Sequence, residues 1–165
     1  MQAMIVRDEE VGDIPGIRKS VEAAFRSPLE ANLIDRLRAD GDSVISLVAI
    51  ENGHIVGHIL FSKMTAPFRA LGLGPVSVMP DRQSSGIGSR LIREGLKRAG
   101  NEAWQGVFVV GNPSYYKRFG FSPGRAVGFA SPYAGPHLMM LSLKGDIPAN
   151  TGKIDYAPAF AALDI

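Results

Sequence analysis

The sequence predicts a single mixed α/β (α+β) domain, and three observations carry that expectation. Apolar residues follow two periods: runs such as "VISLVAIE" (44–51) and "GVFVV" (106–110) read as strands, whereas Ile87, Leu91, Ile92 and Leu96 recur at the spacing of a helix face. The helical patterns are inserted between the strand runs instead of being gathered at one end. Hydrophobic residues make up 45% of the 165-residue chain, enough to bury one core without cross-links.

Taken in order, "AMIVR" (3–7) reads as the first strand. Asp13 is placed to cap a helix through "IPGIRKSVEAAF" (14–25), with Pro15 tolerated in its first turn. A second helix follows Ser27 and Pro28, with Leu29, Leu33, Ile34 and Leu37 on one face and Gly41 as its stop. "VISLVAIE" and "HIVGHILFSKM" (54–64) flank Asn52-Gly53, the strongest short signal for a hairpin. "LGLGPVSVM" (71–79) is a fourth strand interrupted by Gly72, Gly74 and Pro75. Pro75 has no N–H to give a ladder, so a bulge or frayed edge is expected there, a plain strand bend being the alternative. A helix over 86–98 and the strand "GVFVV" follow, then a short helix or turn at "SYYKRF" (114–119) ended by Gly120. "GRAVGFA" (124–130) and "HLMMLSLK" (137–144) read as a closing strand pair, and 145–165 as an irregular tail packed on the domain. No repeat or linker divides residues 1–165.

Composition narrows the function. The chain has no cysteine, which removes disulfides, thiolate zinc sites and cysteine nucleophiles and suits the reducing cytoplasm. The N-terminal segment lacks a basic patch followed by an apolar run, and no apolar stretch approaches the roughly 20 residues of a membrane helix. A net charge of +2 gives no bulk attraction for nucleic acid. His54 and His58 share a strand face, but no third ligand lies near them in sequence, so no metal is expected.

Chemistry concentrates in "VMPDRQSSGIGSRLI" (78–92), where two glycines stand between a strand and a helix. Helix N-termini expose unpaired N–H groups and attract phosphate, and glycines let the backbone approach closely. A plain serine-capped helix fits the same local pattern. A nucleoside triphosphate loop needs lysine after its second glycine, and Ser89 follows Gly88 here. A dinucleotide fingerprint needs a third glycine where Leu91 stands, and a carboxylate at the end of the next strand, which "GVFVVGN" lacks.

The remaining pattern, Q/R-x-x-G-x-G/A, is present as Gln83-Ser84-Ser85-Gly86-Ile87-Gly88. It resembles the pyrophosphate-binding motif of the GNAT superfamily of coenzyme A-dependent N-acetyltransferases. "VVGNPSYYKRFGF" (109–121) is similar to a second segment of that superfamily, with Tyr116 at the tyrosine of Y-x-x-x-G-F. The resemblance runs the length of the chain and is closest to a small bacterial YhbS-like branch. It implies a largely antiparallel central sheet with splayed fourth and fifth strands and helices on both faces. It implies acetyl-CoA as co-substrate: Val76 and Val78 would meet the pantetheine arm through their backbone, with Asn112 beside it. Arg82, Gln83, Ser84, Ser85, Gly86, Ile87, Gly88, Ser89 and Arg90 would hold the phosphates. Tyr116 would be the general acid for the departing thiolate, Tyr115 a packing neighbour, since adjacent helical residues point about 100° apart.

The base stays open among a carboxylate, a histidine and a water chain. Glu30 is the candidate base and acceptor contact, with a solvated helix charge or a partner for Arg26 as its other reading. His58 is the second acceptor-contact candidate, with a structural strand histidine as its other reading. The basic run Arg82, Arg90, Arg93, Lys97 and Arg98 reads either as phosphate contacts or as a solvated face. The resemblance thus implies direct acetyl transfer, in a ternary complex, to an amine on a small molecule, peptide or protein. A catalytically silent acyl-CoA-binding module is the alternative. A homodimer is compatible with either.

Overall fold

In the computed structural model, which describes residues 3–163, the chain opens with strand β1 (Ile5–Asp8) and helices α1 (Ile14–Phe25) and α2 (Leu29–Ala39). Strands β2 (Ser43–Glu51), β3 (His54–Lys63) and β4 (Ala70–Val78), helix α3 (Ile87–Asn101), strand β5 (Gly106–Val110) and the single turn α4 (Pro113–Tyr116) follow. A second short turn, α5 (Pro123–Ala126), precedes β6 (Phe129–Ala130), β7 (Leu138–Ser142) and β8 (Gly152–Lys153). Six strands form one sheet in the order β1-β2-β3-β4-β5-β7, antiparallel throughout except for β4 beside β5.

Local chemistry explains most of these elements. Asn52 and Gly53 take φ of 53° and 76°, the mirror-turn geometry that matches strand twist, and so close the β2–β3 hairpin. Gly41, at φ 76°, turns the chain out of α2. Asp13 sits at the start of α1 but makes no side-chain cap there. Its carboxylate instead accepts from the Glu10 N–H and the Arg7 guanidinium, both at 2.7 Å, within a tight turn over Val11–Asp13.

The two sheet faces are buried against different helices. Ile59, Phe61 and Leu47 join Ile87, Leu91 and Ile92 of α3 on one side. Val48 and Leu60 pack with Ile17, Val21, Ile34 and Leu37 of α1 and α2 on the other. A third cluster gathers Phe68, Phe108 and Phe129, the last two edge to face at 5.4 Å.

β4 is the irregular strand. Ile59 to Phe61 on β3 is opposed by Leu73 to Val76 on β4, so β4 carries an extra residue at Gly74–Pro75. This is the bulge expected from Pro75. β4 pairs with β5 only from Ala70 to Gly72, against Gly106 to Phe108. Past Gly72 it stays with β3, while Val109 and Val110 of β5 pair with Met139 and Leu138 of β7. The two strands therefore part, leaving one edge of β4 without a strand partner.

The C-terminal third departs from the expected strand pair. Only "HLMMLSLK" supplies a strand of the main sheet, as β7. In "GRAVGFA", Ser122 caps the α5 turn by accepting from the Gly124 N–H, and only Phe129–Ala130 is extended, pairing parallel with β8. The tail is also more built than expected: Ile154, Ala157, Ala159 and Phe160 are buried and 158–163 form a 3-10 helix. Asp164 and Ile165, the end of the expected tail, lie outside the described residues.

α3 lies close on the sheet because Gly95 has no side chain: a Cβ there would stand 2.2 Å from the fully buried Phe61 ring. Gly95→Ala is expected to lower unfolding stability by about 1–3 kcal/mol through overpacking. Alanine's helix preference, worth up to about 1 kcal/mol, acts the other way. Urea denaturation measures it, and an unchanged or raised midpoint would refute this account of the α3 seat.

Candidate active site

The wedge between β4 and β5 has a different chemistry at each end. At one end, Pro80–Arg82 form a 3-10 turn, Ser84 and Gly86 take φ of 64° and 87°, and α3 begins. The first helical hydrogen bond there runs from Arg90 N–H to Gly86 C=O at 3.0 Å. The N–H groups of Ile87, Gly88 and Ser89 precede it and have no acceptor within the helix. A Cβ on Gly88 would lie 3.6 Å from Val78 and 3.8 Å from the Tyr115 hydroxyl, so its absence keeps the mouth of this hollow open.

Val78, Arg82, Gln83, Ser84 and Gly86–Ser89 line this hollow together with Tyr115 and Arg118. Several expected contacts are already engaged. Gln83 Nε2 donates to the Val78 carbonyl at 3.2 Å, the Ser85 hydroxyl donates to the Arg82 carbonyl, and the Arg82 guanidinium is paired with Glu51. Arg90 donates to the Met4 carbonyl at 3.0 Å and does not line the hollow. The cation that the fold supplies there as well is Arg118, held 4.5 Å over the Tyr115 ring, with Nε donating to the Tyr115 carbonyl at 2.9 Å. Tyr115, expected only to pack, places its hydroxyl 3.1 Å from Ser89 Oγ. Asn112 is exposed, and its Oδ1 accepts from the Ser114 N–H at 2.9 Å, capping α4.

Tyr116 turns the other way, its ring almost perpendicular to that of Tyr115. It is buried against Phe121 and Gly111, where a Cβ would stand 2.5 Å from its Cε2 atom. Burial, helped by the neighbouring Tyr115, pushes its phenol up to about 12. It is therefore neutral and a donor at any physiological pH.

At the far end, the β4 bulge and the tip of β5 open into a cavity of ≈ 230 Å³. Glu30 and Leu33 of α2 form one wall, Leu73–Pro75 and Val110 the floor, and Tyr156 and Phe160 from the tail another wall. Glu30 Oε1 and the Tyr156 hydroxyl are buried without hydrogen-bond partners. Burial raises the Tyr156 phenol, followed by the neighbouring Tyr133 and Tyr116.

His58 lies apart from both ends. It is fully buried, with Nε2 2.8 Å from Ser46 Oγ and 3.9 Å from Glu9, which is itself paired with Arg38. Burial depresses its imidazole to about 4, so it sits neutral and lines neither cavity. Among the described residues no cluster of three or more His, Asp or Glu could hold a metal ion, and no helix is long and apolar enough to cross a membrane.

A sheet that parts beside a glycine-opened helix is the frame of an acyltransferase domain. Residues 14–121 match the model of the Acetyltransferase (GNAT) family, and the chain belongs to that family. It is 36% identical over 156 residues to the uncharacterized N-acetyltransferase YjhQ of Escherichia coli K12, covering 86% of each chain. It is 33% identical over 122 residues to the uncharacterized N-acetyltransferase YhbS of the same strain, covering 72% of this chain and 73% of that one. The crystal structure of E. coli YhbS in complex with CoA superposes with a TM-score of 0.89 at 27% identity, over 96% and 92% of the two chains. A GNAT acetyltransferase from Brucella melitensis in complex with acetyl-CoA gives 0.82 at 37% identity, over 96% and 98%.

The His58 environment has a consequence for acid stability. An unfolded imidazole titrates near 6.5 and the folded one near about 4, so between those values the unfolded chain binds more protons. Stability is therefore expected to fall as pH drops through that window. His58→Leu should flatten the decline between about pH 6.5 and 5, above the range where carboxylates such as Glu9 titrate. Equal slopes for the two proteins in urea titrations would contradict the buried neutral imidazole.

Proposed function

We propose that this chain moves the acetyl group of acetyl-CoA directly to an amine, with both substrates bound together, in the cytoplasm. The observation that carries the reading is the parting of β4 from β5, with the glycine-opened end of α3 beside Val78 and the cavity holding Glu30 at Leu73–Pro75 and Val110. The residues fit the donor. The unpartnered edge of β4 offers the backbone groups of Val76 and Val78 to an extended pantetheine arm. Free N–H groups at Ile87, Gly88 and Ser89, with Arg118 beside them, suit a pyrophosphate. Two relatives solved with CoA and with acetyl-CoA support the same choice.

When bound, acetyl-CoA would supply an activated acyl carbon in its thioester. The chain's part is to orient, polarise and move protons. A backbone N–H on the parted edge of β4 polarises the carbonyl without any particular side chain. Glu30 takes a proton from the acceptor ammonium, leaving a neutral nitrogen. As the C–N bond forms and the C–S bond breaks, Tyr116 donates its proton to the departing sulfur, while the nitrogen's second proton leaves to solvent, from which the phenolate is reprotonated. A thiol titrates near 8.5 in water, below this phenol, but the dry surroundings that raise Tyr116 also disfavour a bare thiolate.

Tyr116→Phe is expected to lower kcat by about 10²-fold or more while the KM for acetyl-CoA stays within about a factor of three. Wild-type kcat should rise as the amine loses its proton and show no fall toward pH 10, because the phenol holds its proton to about 12. Thiol release followed over pH reads both. Unchanged kcat in the variant would remove Tyr116 from the chemistry; acetyl-CoA binding without turnover on any amine would favour the silent module. Gly88→Val, which fills the mouth of the hollow, should raise the KM for acetyl-CoA about tenfold, equivalent to roughly 1.4 kcal/mol.

A further inference from the structure

We propose that the acceptor is a small primary monoamine with an apolar body and no carboxylate, of which an arylalkylamine is the model case. This rests on the acetyl-transfer reading above and specifies its second substrate. The walls come from Phe25 and Leu33 on the helices and from Phe160 and Leu163 on the tail, so the occupant's body is desolvated by hydrocarbon and aromatic surface. Among the described residues that line the cavity, Glu30 is the one that is charged. Its Oε1 is buried and has no partner, a state that costs free energy until a donor arrives. An ammonium or amine N–H satisfies it. The buried, unpartnered Tyr156 hydroxyl supplies a second polar contact on the same cavity.

The same inventory excludes other amines. Among the described residues no lysine, arginine or histidine lines the cavity, so the carboxylate of a free amino acid would be buried without a counter-charge. With one carboxylate among the described lining residues, the second ammonium of a polyamine would meet no counter-charge. At ≈ 230 Å³ the cavity falls below the range of about 300–1,000 Å³ usual for ligand pockets, which favours a compact acceptor over a peptide.

The test compares 2-phenylethylamine, L-phenylalanine, spermidine and an unblocked tripeptide as acceptors for the full chain, with acetyl-CoA binding measured by calorimetry alongside. 2-Phenylethylamine is expected to exceed each of the others in kcat/KM by about 10²-fold, as desolvated charge discrimination allows. Glu30→Gln should raise its KM about tenfold while the KM for acetyl-CoA stays within about twofold. Leu163→Arg, which adds a cation at the cavity wall, should shift the ratio toward L-phenylalanine by about tenfold. If Glu30→Gln does not fold, the wild-type panel and Leu163→Arg decide. Preference for the amino acid, the polyamine or the tripeptide, or no shift with Leu163→Arg, overturns the acceptor assignment and leaves the donor reading standing. So does acetyl-CoA binding with no turnover of 2-phenylethylamine. Absence of acetyl-CoA binding overturns both.

Discussion

The parting of β4 from β5 is the constraint on which the rest of the structure depends. A strand buried in the middle of a sheet cannot leave its N–H and C=O groups unpaired without cost, so an interior gap demands an occupant that can pair them. The extra residue at Gly74–Pro75 keeps β4 on β3 while its other edge turns free, and β7 holds β5 on the opposite flank. The surrounding elements then keep the gap from collapsing. α3 is seated against β3 through the Gly95–Phe61 contact, which fixes where its N-terminus points. Beyond the gap, Tyr156 lies against Gly72, where a Cβ would stand 2.5 Å from its ring.

The two ends of that gap differ in lining, and the difference divides the chemistry. The α3 end is lined by backbone N–H groups, hydroxyls and Arg118, and suits a highly charged group that stays partly hydrated. The α2 end is lined mainly by apolar side chains, and there the Tyr156 phenol is held neutral by burial. A low local dielectric strengthens each hydrogen bond made to charge that develops in the reaction. Tyr115 and Tyr116, adjacent in sequence, straddle this boundary: one faces Ser89, the other the interior.

Elements set by nearby residues were readable from the sequence. The Asn52-Gly53 hairpin, the α3 face, the bulge at Pro75 and the family all follow from patterns a few residues long. What escaped depends on which partner each side chain meets in the folded chain. Asp13 has the right residue type for a cap, but Arg7 and the Glu10 N–H compete for its carboxylate. Arg90 flanks the glycine loop in sequence, yet its guanidinium is taken by Met4 from the first strand segment. Arg118 stands in the run that resembles the family's tyrosine segment, where Tyr116 and not the arginine is the expected site residue. Tyr156 and Phe160 sit in a turn-rich tail whose composition says nothing of the cavity it walls. Glu30 and His58 looked alike as isolated titratable residues; burial separates them, one on a cavity and one inside a Glu9–Arg38–Ser46 network.

The bulged strand has an implication for how this molecule tolerates change. Along β4 and the start of α3, contact with a ligand would run through main-chain atoms, and most side-chain replacements leave those atoms where they are. Across the cavity the reverse holds, since its walls are side chains, and Tyr133, Tyr156, Phe160 and Leu163 lie beyond the stretch 14–121 shared with the family. Mutational drift would therefore erode the two halves at unequal rates. One donor-handling frame could be handed on intact while a few exchanges in the tail retune what it serves.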